Sequence, residues 1–528
     1  MPQYSHDVVI VGGGHNALVA AAYLARAGRS VVVLERLSHV GGAAVSQSPW
    51  AGVEARLSRY SYLVSLLPRT IIDDLGLRID LRRRRYSSYT PDPADPTRGV
   101  LVDTGDAAAT AASFVQTTGD TGEAERYAQF TDRLAPLARH LFPTVTSPLR
   151  TRSAVRSGFE DRALWDAVVE RPLGGLLRSS LGSDIVRGIA LTDGLIGTFA
   201  AADDISLRQN RCFLYHVIGG GTGDWDVPVG GMGQVSAELE RAARAAGAQL
   251  RTDAEVVAIG SDGDVEIGAA RPQTLRGRLV LSGVGPAVLA RLLANGGARS
   301  EPEPSEPPEG AQVKVNMLLH RLPKLRDDRV APRAAFAGTF HINETMSQLD
   351  EAHDAAQGGS IPNPLPAEIY CHSLTDPSIL GAPLRAQGAQ TLTLFGLQVP
   401  HRLVANLERD AARSALLEAA TRSLDSVLAE PIADCIYEAP DGSACIEART
   451  TADLEDSLGM VGGDIFHGPL SWPWAEDDEP LDSAAARWGV ATAHPRVLLC
   501  GSGARRGGAV SGIGGHNAAM AALELLSA

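Results

Sequence analysis

The chain has 528 residues, of which 44% are hydrophobic and 21% charged, as is ordinary for a soluble globular protein of roughly two or three domains. Its net charge of −14 argues against a general nucleic-acid binder, which would present a basic surface. There is no apolar run of about 18 residues to span a membrane and no room for a signal peptide before Asp7, so we expect a cytoplasmic protein.

The first 35 residues predict one βαβ unit. Val8–Val11 is a β-branched run suited to a buried parallel strand, and Leu18–Ala27 has the composition of a helix. Gly28 is placed to end that helix. Ser30–Leu34 then forms the second strand, with Glu35 at its end.

The turn inside this unit carries a dinucleotide-binding pattern, Gly12-x-Gly14-x-x-Ala17. The glycines allow a tight turn and bring backbone amides close to a pyrophosphate at the helix N-terminus. Glu35 lies where a carboxylate accepts hydrogen bonds from the adenosine ribose. Gly41 and Gly42 follow at the spacing of a second phosphate turn, which indicates FAD rather than a nicotinamide cofactor.

The middle of the chain contains predicted elements but few motifs. A short helix from Thr70 ends at Gly76, the run Arg82–Arg85 predicts a solvated face, and residues 107–200 have helical patterns, including Gly122–Leu141. The cluster Gly219–Gly223 is not followed by a helix and predicts a flexible loop rather than a second nucleotide site. The acidic, proline-rich run 301–309 predicts a crossing between domains.

The remaining predicted elements complete a nucleotide-binding domain. A helix from about Gln234 to Ala246 precedes the strand Gln249–Thr252, and Asp262-Gly263 predicts a hairpin turn. Val497–Cys500 is a strand that leads into a glycine-dense turn and a closing helix near His516. The free amides of that turn are predicted to face the flavin ring.

With these motifs the chain resembles the phytoene-desaturase-like FAD oxidoreductases. It is most similar to bacterial phytoene-dehydrogenase-related proteins and to the animal proteins named for a pyridine nucleotide-disulfide oxidoreductase domain. The five cysteines include no C-x-x-C pair, so neither a redox disulfide nor a metal cluster is predicted. The resemblance extends nearly end to end, and its blocks are Val11–Leu24, Leu34–Ala44, Trp225–Gly233, Lys314–Asn316, His372–Pro377, Gly463–Gly468 and Leu499–Ala519.

The resemblance implies an α/β fold with a Rossmann-type FAD-binding domain, similar to glutathione reductase and amine oxidases. Three chain segments (1–80, 226–300 and 490–528) build that domain, and an inserted α+β substrate domain comprises 81–225 and 301–489. Val256 is expected at the adenine, Ser282-Gly283 near the phosphates and Gly501-Ser502 near the ribityl chain. The full set of predicted FAD contacts is Gly12, Gly14, His15, Asn16, Ala17, Glu35, Arg36, Gly41, Gly42, Ala43, Val256, Ser282, Gly283, Gly501, Ser502, Gly512 and Ile513.

Two residues are candidates for catalysis. Lys314 and Lys324 are the only lysines among 48 basic residues, and Lys314 lies inside an apolar strand. An ammonium there holds a water as a compact donor, and the position resembles the lysine that flavin amine oxidases place beneath N5. The alternative is a strand-end side chain that reaches solvent. His467 is the preferred proton-transfer residue, with a structural role as its alternative.

Arg505 and Arg506 stand where relatives often have Thr-His-Pro. Two adjacent guanidinium groups suit a carboxylate or phosphate of the substrate, or else contact FAD phosphates or solvent. The expected function is dehydrogenation of a C–C or C–N bond of a small metabolite, by hydride transfer to flavin N5, with O2 or a quinone as electron acceptor. The alternatives are a flavin-assisted isomerase or saturase, an amine oxidase that uses O2, and a scaffold that keeps FAD as a relic. A homodimer remains open.

Overall fold

The computed structural model describes residues 4–268, 273–298 and 307–527, and it contains two seven-stranded sheets. The first sheet contains five parallel strands, four of which are neighbours in the main strand order. Two further strands form an antiparallel hairpin at one edge of this sheet. The second half of Gln273–Ser282 pairs with Val497–Leu499, outside the main order. That order is Val256–Ile259, Asp264–Ile267, Gln273–Ser282, His6–Val11, Val31–Leu34 and Gln249–Arg251.

Helices cover both faces of the first sheet, as expected for a strand such as Val8–Ile10 that is buried throughout. Pro286–Asn295 packs on one face. On the other face, a Cβ at Gly515 would lie 1.8 Å from the carbonyl oxygen of Asn16, so the first and last helices pack backbone to backbone. The helices of that face are His15–Arg26, Arg69–Leu75, Met232–Ala245, Ala484–Arg487 and Ile513–Ser527.

The second sheet is mostly antiparallel and packs against the long helix Arg409–Val427 on one face. Its strand order is Ile446–Arg449, Gln312–Leu319, Gln390–Leu397, Ala367–Tyr370, Thr339–Ile342, Tyr86–Asp92 and Asp95–Asp103. Smaller elements surround it, namely Ser46–Gln47, Leu57–Ser58, Pro332–Ala335, Met346–Gln357, His372–Thr375, Ala382–Ala386 and Thr451–Leu458.

A helical segment covers the opposite face of this sheet and has its own apolar core. The short strands Leu81–Arg82 and Val227–Pro228 pair with each other, so the chain leaves and returns at adjacent points. Residues 83–226 therefore form one excursion between two hydrogen-bonded ends, and this excursion includes two strands of the second sheet, Tyr86–Asp92 and Asp95–Asp103, besides the helical segment. Its helices are Ala107–Thr118, Glu123–Leu141, Arg152–Ser157, Arg162–Trp165, Asp166–Glu170 (a π-helix), Leu173–Ser180, Asp184–Leu191 and Arg208–Ile218.

These observations confirm the predicted Rossmann-type α/β fold, assembled from separated chain segments around an inserted α+β part. The domain boundaries stay predictions. The closing helix begins at Ile513, three residues before the predicted start, because the glycines tolerate helical geometry. Residues 301–306 of the acidic run lie outside the described residues. None of the helices in the described part of the chain combines the length and apolarity that crossing a membrane requires.

Gly219–Gly221 forms a short 3-10 turn that no helix directly follows. One prediction for the start of the excursion needs correction. Arg82–Arg85 is not uniformly solvated, because Arg84 turns inward, is half-buried and donates to the hydroxyl of Thr339 at 3.2 Å. Successive side chains of an extended chain point to opposite sides, so Arg84 points inward while its neighbours Arg83 and Arg85 are exposed.

Candidate active site

One cavity of about 420 Å³ runs from the first sheet to the space between the second sheet and the helical excursion. At one end its walls are the turn Gly12–Gly14, Glu35, Gly283 and Gly501, which we call the glycine end. At the other end ionisable and aromatic side chains line it, and we call this the polar chamber. The polar chamber is lined by Tyr62, Arg84, Asp193, His216, Trp225, His341, Glu368, Tyr370 and Phe395.

The glycine end has the backbone geometry of a dinucleotide turn. Gly12 has a φ of +88°, which only glycine adopts readily, and a Cβ on Gly14 would meet no protein atom within 4 Å. No side chain caps the helix that begins at His15, so its first amides are open to an anion. Glu35 accepts from the amides of Gly13 at 2.7 Å and Leu37 at 2.8 Å, which fixes its carboxylate beside the turn.

The second glycine turn stands directly against the first. The amide of Gly41 donates to the carbonyl oxygen of Gly13 at 2.8 Å, and a Cβ on Gly42 would lie 3.2 Å from the Cα of Gly14. The buried side-chain oxygen of Asn16 has no hydrogen-bond partner among the described residues. Open amides, an unfilled space beside Gly14 and an unpaired buried acceptor are what a bound dinucleotide requires, so these residues fit FAD.

Most of the predicted FAD contacts lie on this cavity. Those that line it are Gly12, Gly14, His15, Asn16, Glu35, Arg36, Gly42, Ala43, Val256, Gly283, Gly501 and Ser502. The structure does not bring Ala17, Gly41, Ser282, Gly512 and Ile513 to it. Ser282 is fully buried and its hydroxyl donates to the carbonyl oxygen of Val284, while a Cβ at Gly512 would meet Val19 at 3.1 Å. These residues support the turns from behind.

The floor of the polar chamber is a row of side chains from four neighbouring strands. His341 pairs with Glu368, Glu368 with Phe395, and Phe395 with Lys314. Residues directly opposite in a ladder point to the same face of the sheet, so these four form one line, which we call the floor row. Its members come from positions that are up to 81 residues apart in the chain.

The helical excursion supplies the opposite wall. Arg84 lies with its guanidinium carbon 5.7 Å from the centre of the Tyr370 ring. Asp193 follows Thr192, whose hydroxyl donates to Glu344 at 2.5 Å, and the same carboxylate oxygen accepts from His341 at 2.7 Å. The two walls are therefore joined by hydrogen bonds next to the floor row.

Burial governs the ionisation of the chamber. Burial and the nearby Glu344 raise the pKa of Glu368 to about 8, and its Oε2 accepts from the hydroxyl of Tyr370 at 2.5 Å. Burial also raises the pKa of Asp193. The pKa of His341 is raised despite burial, because Glu344 stabilises its charged form. The chamber thus holds acids in a place where water does not solvate them.

Lys314 is the end member of the floor row, and unlike the other three members it is not among the residues that line the cavity. It is 5% exposed, and its ammonium donates to the carbonyl oxygen of Ser58 at 2.8 Å. The same ammonium lies 5.0 Å from the centre of the Tyr62 ring, which lines the chamber. Burial lowers its pKa to about 7. The side chain does not reach solvent, which removes the alternative of a strand-end lysine.

His467 lines the cavity at the glycine end rather than in the polar chamber. A Cβ on Gly285 would lie 2.8 Å from its Nδ1, so the ring packs against the start of the helix Pro286–Asn295. Burial lowers its pKa to about 4, which leaves the imidazole neutral. Its role as a proton-transfer residue stays a prediction.

The predicted anion site at Arg505 and Arg506 is not formed. Arg505 pairs with Glu479 at 2.9 Å and donates to the carbonyl oxygen of Trp474. Arg506 is 2% exposed and donates to the carbonyl oxygens of Thr144, Ser147 and Trp488. Neither residue lines the main cavity. The two guanidinium groups do not form one site, because each binds a different set of groups in neighbouring parts of the chain.

Sequence reasoning missed the residues of the polar chamber. Arg84 was hidden in a run of four arginines, while Asp193, His341 and Glu368 belong to no motif. Their only sequence signal is a charged residue inside an otherwise apolar stretch, as in Ala367-Glu368-Ile369. That signal is the one that singled out Lys314.

Comparison with known proteins places the chain in a family. A family model described as an NAD(P)-binding Rossmann-like domain matches residues 10–70. The chain is 54% identical to an uncharacterized protein of Mycobacterium tuberculosis, over 99% of this chain and 97% of that one. It is 30% identical to pyridine nucleotide-disulfide oxidoreductase domain-containing protein 2 of Rattus norvegicus, over 98% of this chain and 93% of that protein. The chain belongs to the family of these pyridine nucleotide-disulfide oxidoreductase domain-containing proteins.

The predicted membership among relatives of these animal proteins is thus confirmed. Despite the family name, all five cysteines are buried free thiols. Among solved structures, cyclohexylamine oxidase from Brevibacterium oxydans IH-35A has a TM-score of 0.57 at 16% identity, over 99% of this chain and 100% of that chain. At this identity the likeness shows a shared fold.

Proposed function

We propose that this protein is an FAD-dependent oxidoreductase that dehydrogenates a C–C or C–N bond of a small organic metabolite. Bound FAD would supply the hydride acceptor, its N5 atom, and O2 or a quinone would take the electrons. The observation that carries the proposal is one continuous cavity that joins a dinucleotide turn to the polar chamber. Such continuity allows a cofactor and a substrate to meet within one cavity.

The residues of the glycine end would hold the cofactor. The open amides at Gly14 and His15 suit its pyrophosphate, and the fixed carboxylate of Glu35 suits the ribose hydroxyls. The backbone of Val256 suits the adenine, and Gly501 with Ser502 suits the ribityl chain. All of these groups line the cavity.

The polar chamber would bind the substrate and exclude water. Its aromatic walls, Tyr62, Tyr370 and Trp225, bury a hydrocarbon skeleton, while Arg84 and Glu368 orient its polar groups. This mixture favours a polar substrate over the long apolar chain that a phytoene-desaturase-like specificity implies. His467, neutral at physiological pH, can accept a proton beside the glycine end.

A specific observation favours an amine oxidase as the second candidate. Lys314 is buried on the floor row with a depressed pKa, and its ammonium faces the Tyr62 ring. A compact donor in that place suits reoxidation of the flavin by O2. The shared fold with cyclohexylamine oxidase is consistent with this candidate.

The experiment is to purify the protein, record its absorption spectrum, reduce it anaerobically and mix it with air-saturated buffer. We expect a flavin spectrum with bleaching on reduction. Rapid reoxidation supports the oxidase candidate, and slow reoxidation directs the search to quinone acceptors. A purified protein with no flavin, and no flavin uptake from added FAD, would overturn the proposal.

Gly14→Val sharpens this experiment. A Cβ at this position would meet no protein atom within 4 Å, so we expect the fold to be retained, yet the side chain extends into the space in which the pyrophosphate would lie. We expect a folded protein that purifies without flavin. Gly175→Ala, at another glycine with open space in the helix Leu173–Ser180, is the matched control and should keep its flavin.

A further inference from the structure

The polar chamber is lined by a guanidinium and two carboxyl groups that form no salt bridge. Arg84, Asp193 and Glu368 all line it, and none of them takes part in a salt bridge with the described residues. His341 and Glu344 differ, because they pair with each other at 2.7 Å. Basic and acidic groups with open hydrogen-bonding positions suit a ligand that carries both an anion and a cation, because the cation of such a ligand favours the ionised form of the carboxyl groups.

Arg84 is the cationic part of this arrangement. Its guanidinium has one hydrogen bond, to the hydroxyl of Thr339 at 3.2 Å, and it stacks near the Tyr370 ring. Four of its five N–H donors therefore have no protein acceptor among the described residues. A half-buried guanidinium with free donors suits a carboxylate, which accepts two of them at once.

Glu368 and Asp193 are the anionic part. Glu368 is 2% exposed, and only one of its carboxylate oxygens has a partner, the hydroxyl of Tyr370. The second oxygen belongs to a side chain that lines the cavity, and no described residue donates to it. The carboxylate of Asp193 has no donor within the described ranges either. A buried and a half-buried acid with open acceptors suit an ammonium group, which offers three donors.

Both parts are held next to the strand Thr339–Ile342. Arg84 donates to the hydroxyl of Thr339, and Glu368 stands opposite His341 in the sheet. Glu344 accepts from both His341 and Thr192, the residue before Asp193. Thr339 and His341 are two residues apart and share a face of the strand. The rings of Tyr62, Tyr370 and Phe395 lie close together on the same cavity.

We propose that the substrate is an amino carboxylate, whose carboxylate binds Arg84 and whose ammonium binds Glu368 and Asp193. The inference rests on the proposed function, because it names the substrate class of the same cavity. A simple amine leaves Arg84 without an anion, and a simple acid leaves the two carboxylates without a cation. Only a ligand with both groups satisfies the whole chamber.

The test measures binding by titration calorimetry to the purified, flavin-loaded protein. Two ligand sets are compared, each with one skeleton: 5-aminopentanoate, pentylamine and pentanoate, and then phenylalanine, phenethylamine and 3-phenylpropanoate. We expect the amino carboxylate to bind at least about tenfold more tightly than either partner in at least one set, since each lost charge-assisted hydrogen bond weakens binding. Shorter and longer ω-amino acids then define the spacing.

Variants separate the two ends of the ligand. Arg84→Met should reduce the affinity for the amino carboxylate to that for the amine and leave amine binding unchanged. Glu368→Gln should reduce the affinity for the amino carboxylate toward that for the acid and leave the binding of the acid unchanged. A merely structural role would weaken all three ligands together. Arg82→Met, at the exposed neighbour whose contacts are long, is the matched control and should bind every ligand as the native protein does.

The result on the native protein alone can overturn the inference. If the amine binds as tightly as the amino carboxylate in both sets, or if no amino carboxylate binds at millimolar concentration, the substrate class is wrong. Because calorimetry does not depend on flavin chemistry, such a failure in a protein with a reducible flavin leaves the proposed function standing. A protein without flavin refutes the proposed function separately.

Discussion

Lys314 and Glu368 occupy the same floor row, with one strand between theirs, and burial drives their pKa values toward each other. Desolvation penalises the charged form of each group, so the ammonium becomes easier to deprotonate and the carboxyl harder. Both groups therefore change protonation near neutral pH. Under the proposed function such groups would be useful, because small changes in their surroundings move a proton.

We predict that Lys314→Met slows the reoxidation of reduced flavin by O2 by at least about tenfold without loss of FAD. The substitution keeps the length of the side chain and removes the donor that faces Tyr62. Stopped-flow absorption after anaerobic reduction measures the rate. Lys324→Met changes the only other lysine, which is exposed, and should reoxidise at the native rate. An unchanged rate in Lys314→Met would end this assignment.

The raised pKa of Glu368 predicts a pH-dependent stability. The folded protein holds this proton up to about pH 8, whereas the unfolded chain releases it near 4.5, so the contribution of Glu368 to stability is lost as pH rises through that window. A pKa difference of one corresponds to about 1.4 kcal/mol. The melting temperature of the native protein should therefore fall more steeply from pH 5 to 8 than that of Glu368→Gln, as measured by scanning calorimetry. Parallel curves contradict the assignment.

The residues that could be predicted are those whose role is encoded locally. Gly12, Gly14 and Glu35 are found from spacing alone because a tight turn and an adjacent strand end fix their positions. Lys314 stood out because it is a charge inside an apolar strand. Arg84 and Glu368 could not be assigned, because their partners are Thr339 and Tyr370, and only the folded sheet brings these together.

At the scale of elements, the chamber depends on how the helix Asp184–Leu191 docks. A Cβ on Gly188 would lie 1.7 Å from the carbonyl oxygen of Glu344, so the helix touches the backbone that follows the strand Thr339–Ile342. The 3-10 turn Thr192–Gly194 continues this helix and carries Asp193. The close approach at Gly188 therefore sets the position of one acid of the chamber.

Gly188→Ala should lower the free energy of unfolding by about 1–3 kcal/mol, because the added methyl group forces the helix away from Glu344. It should also weaken substrate or inhibitor binding by moving Asp193. Denaturant titration and calorimetry measure the two effects. Gly175→Ala adds the same group to another helix, where nothing lies within 4 Å, and should be neutral or stabilising. Equal stability of the two variants would show that the contact is unimportant.

The sequence predicted elements better than their pairing. The helix Glu123–Leu141 and the βαβ unit were predicted closely, because amphipathic spacing and a β-branched run are local signals. The floor row was not predictable. It depends on the register of strands that are separated by long stretches of chain, and a shift of one residue would turn every side chain to the other face.

At the scale of the molecule, a cavity between two sheets couples cofactor binding to the stability of the whole fold. The first sheet supplies the glycine end and the second supplies the floor row, so FAD at the glycine end and a substrate in the polar chamber would together contact both sides of the gap. A ligand that binds only the folded state stabilises it by about 2.7 kcal/mol at one hundred times its Kd.

We therefore expect removal of the flavin to lower the melting temperature, and added FAD to raise it again in proportion to the logarithm of its concentration. Differential scanning calorimetry of stripped and reconstituted protein measures this. ADP, which shares only the adenosine diphosphate part, should restore a fraction of the increase. A melting temperature that does not change when FAD is added would contradict the assignment of the glycine end.

The excursion 83–226 leaves and re-enters the molecule through the paired strands Leu81–Arg82 and Val227–Pro228. Because its ends are already held together, replacing or lengthening its interior costs little loop-closure entropy. Arg84 and Asp193 lie in this excursion, together with the strands Tyr86–Asp92 and Asp95–Asp103 of the second sheet, whereas Lys314 and Glu368 come from later in the chain. Under the proposed function, exchanging this one contiguous stretch of chain would therefore change some of the groups that bind the substrate and leave the residues of the glycine end as they are.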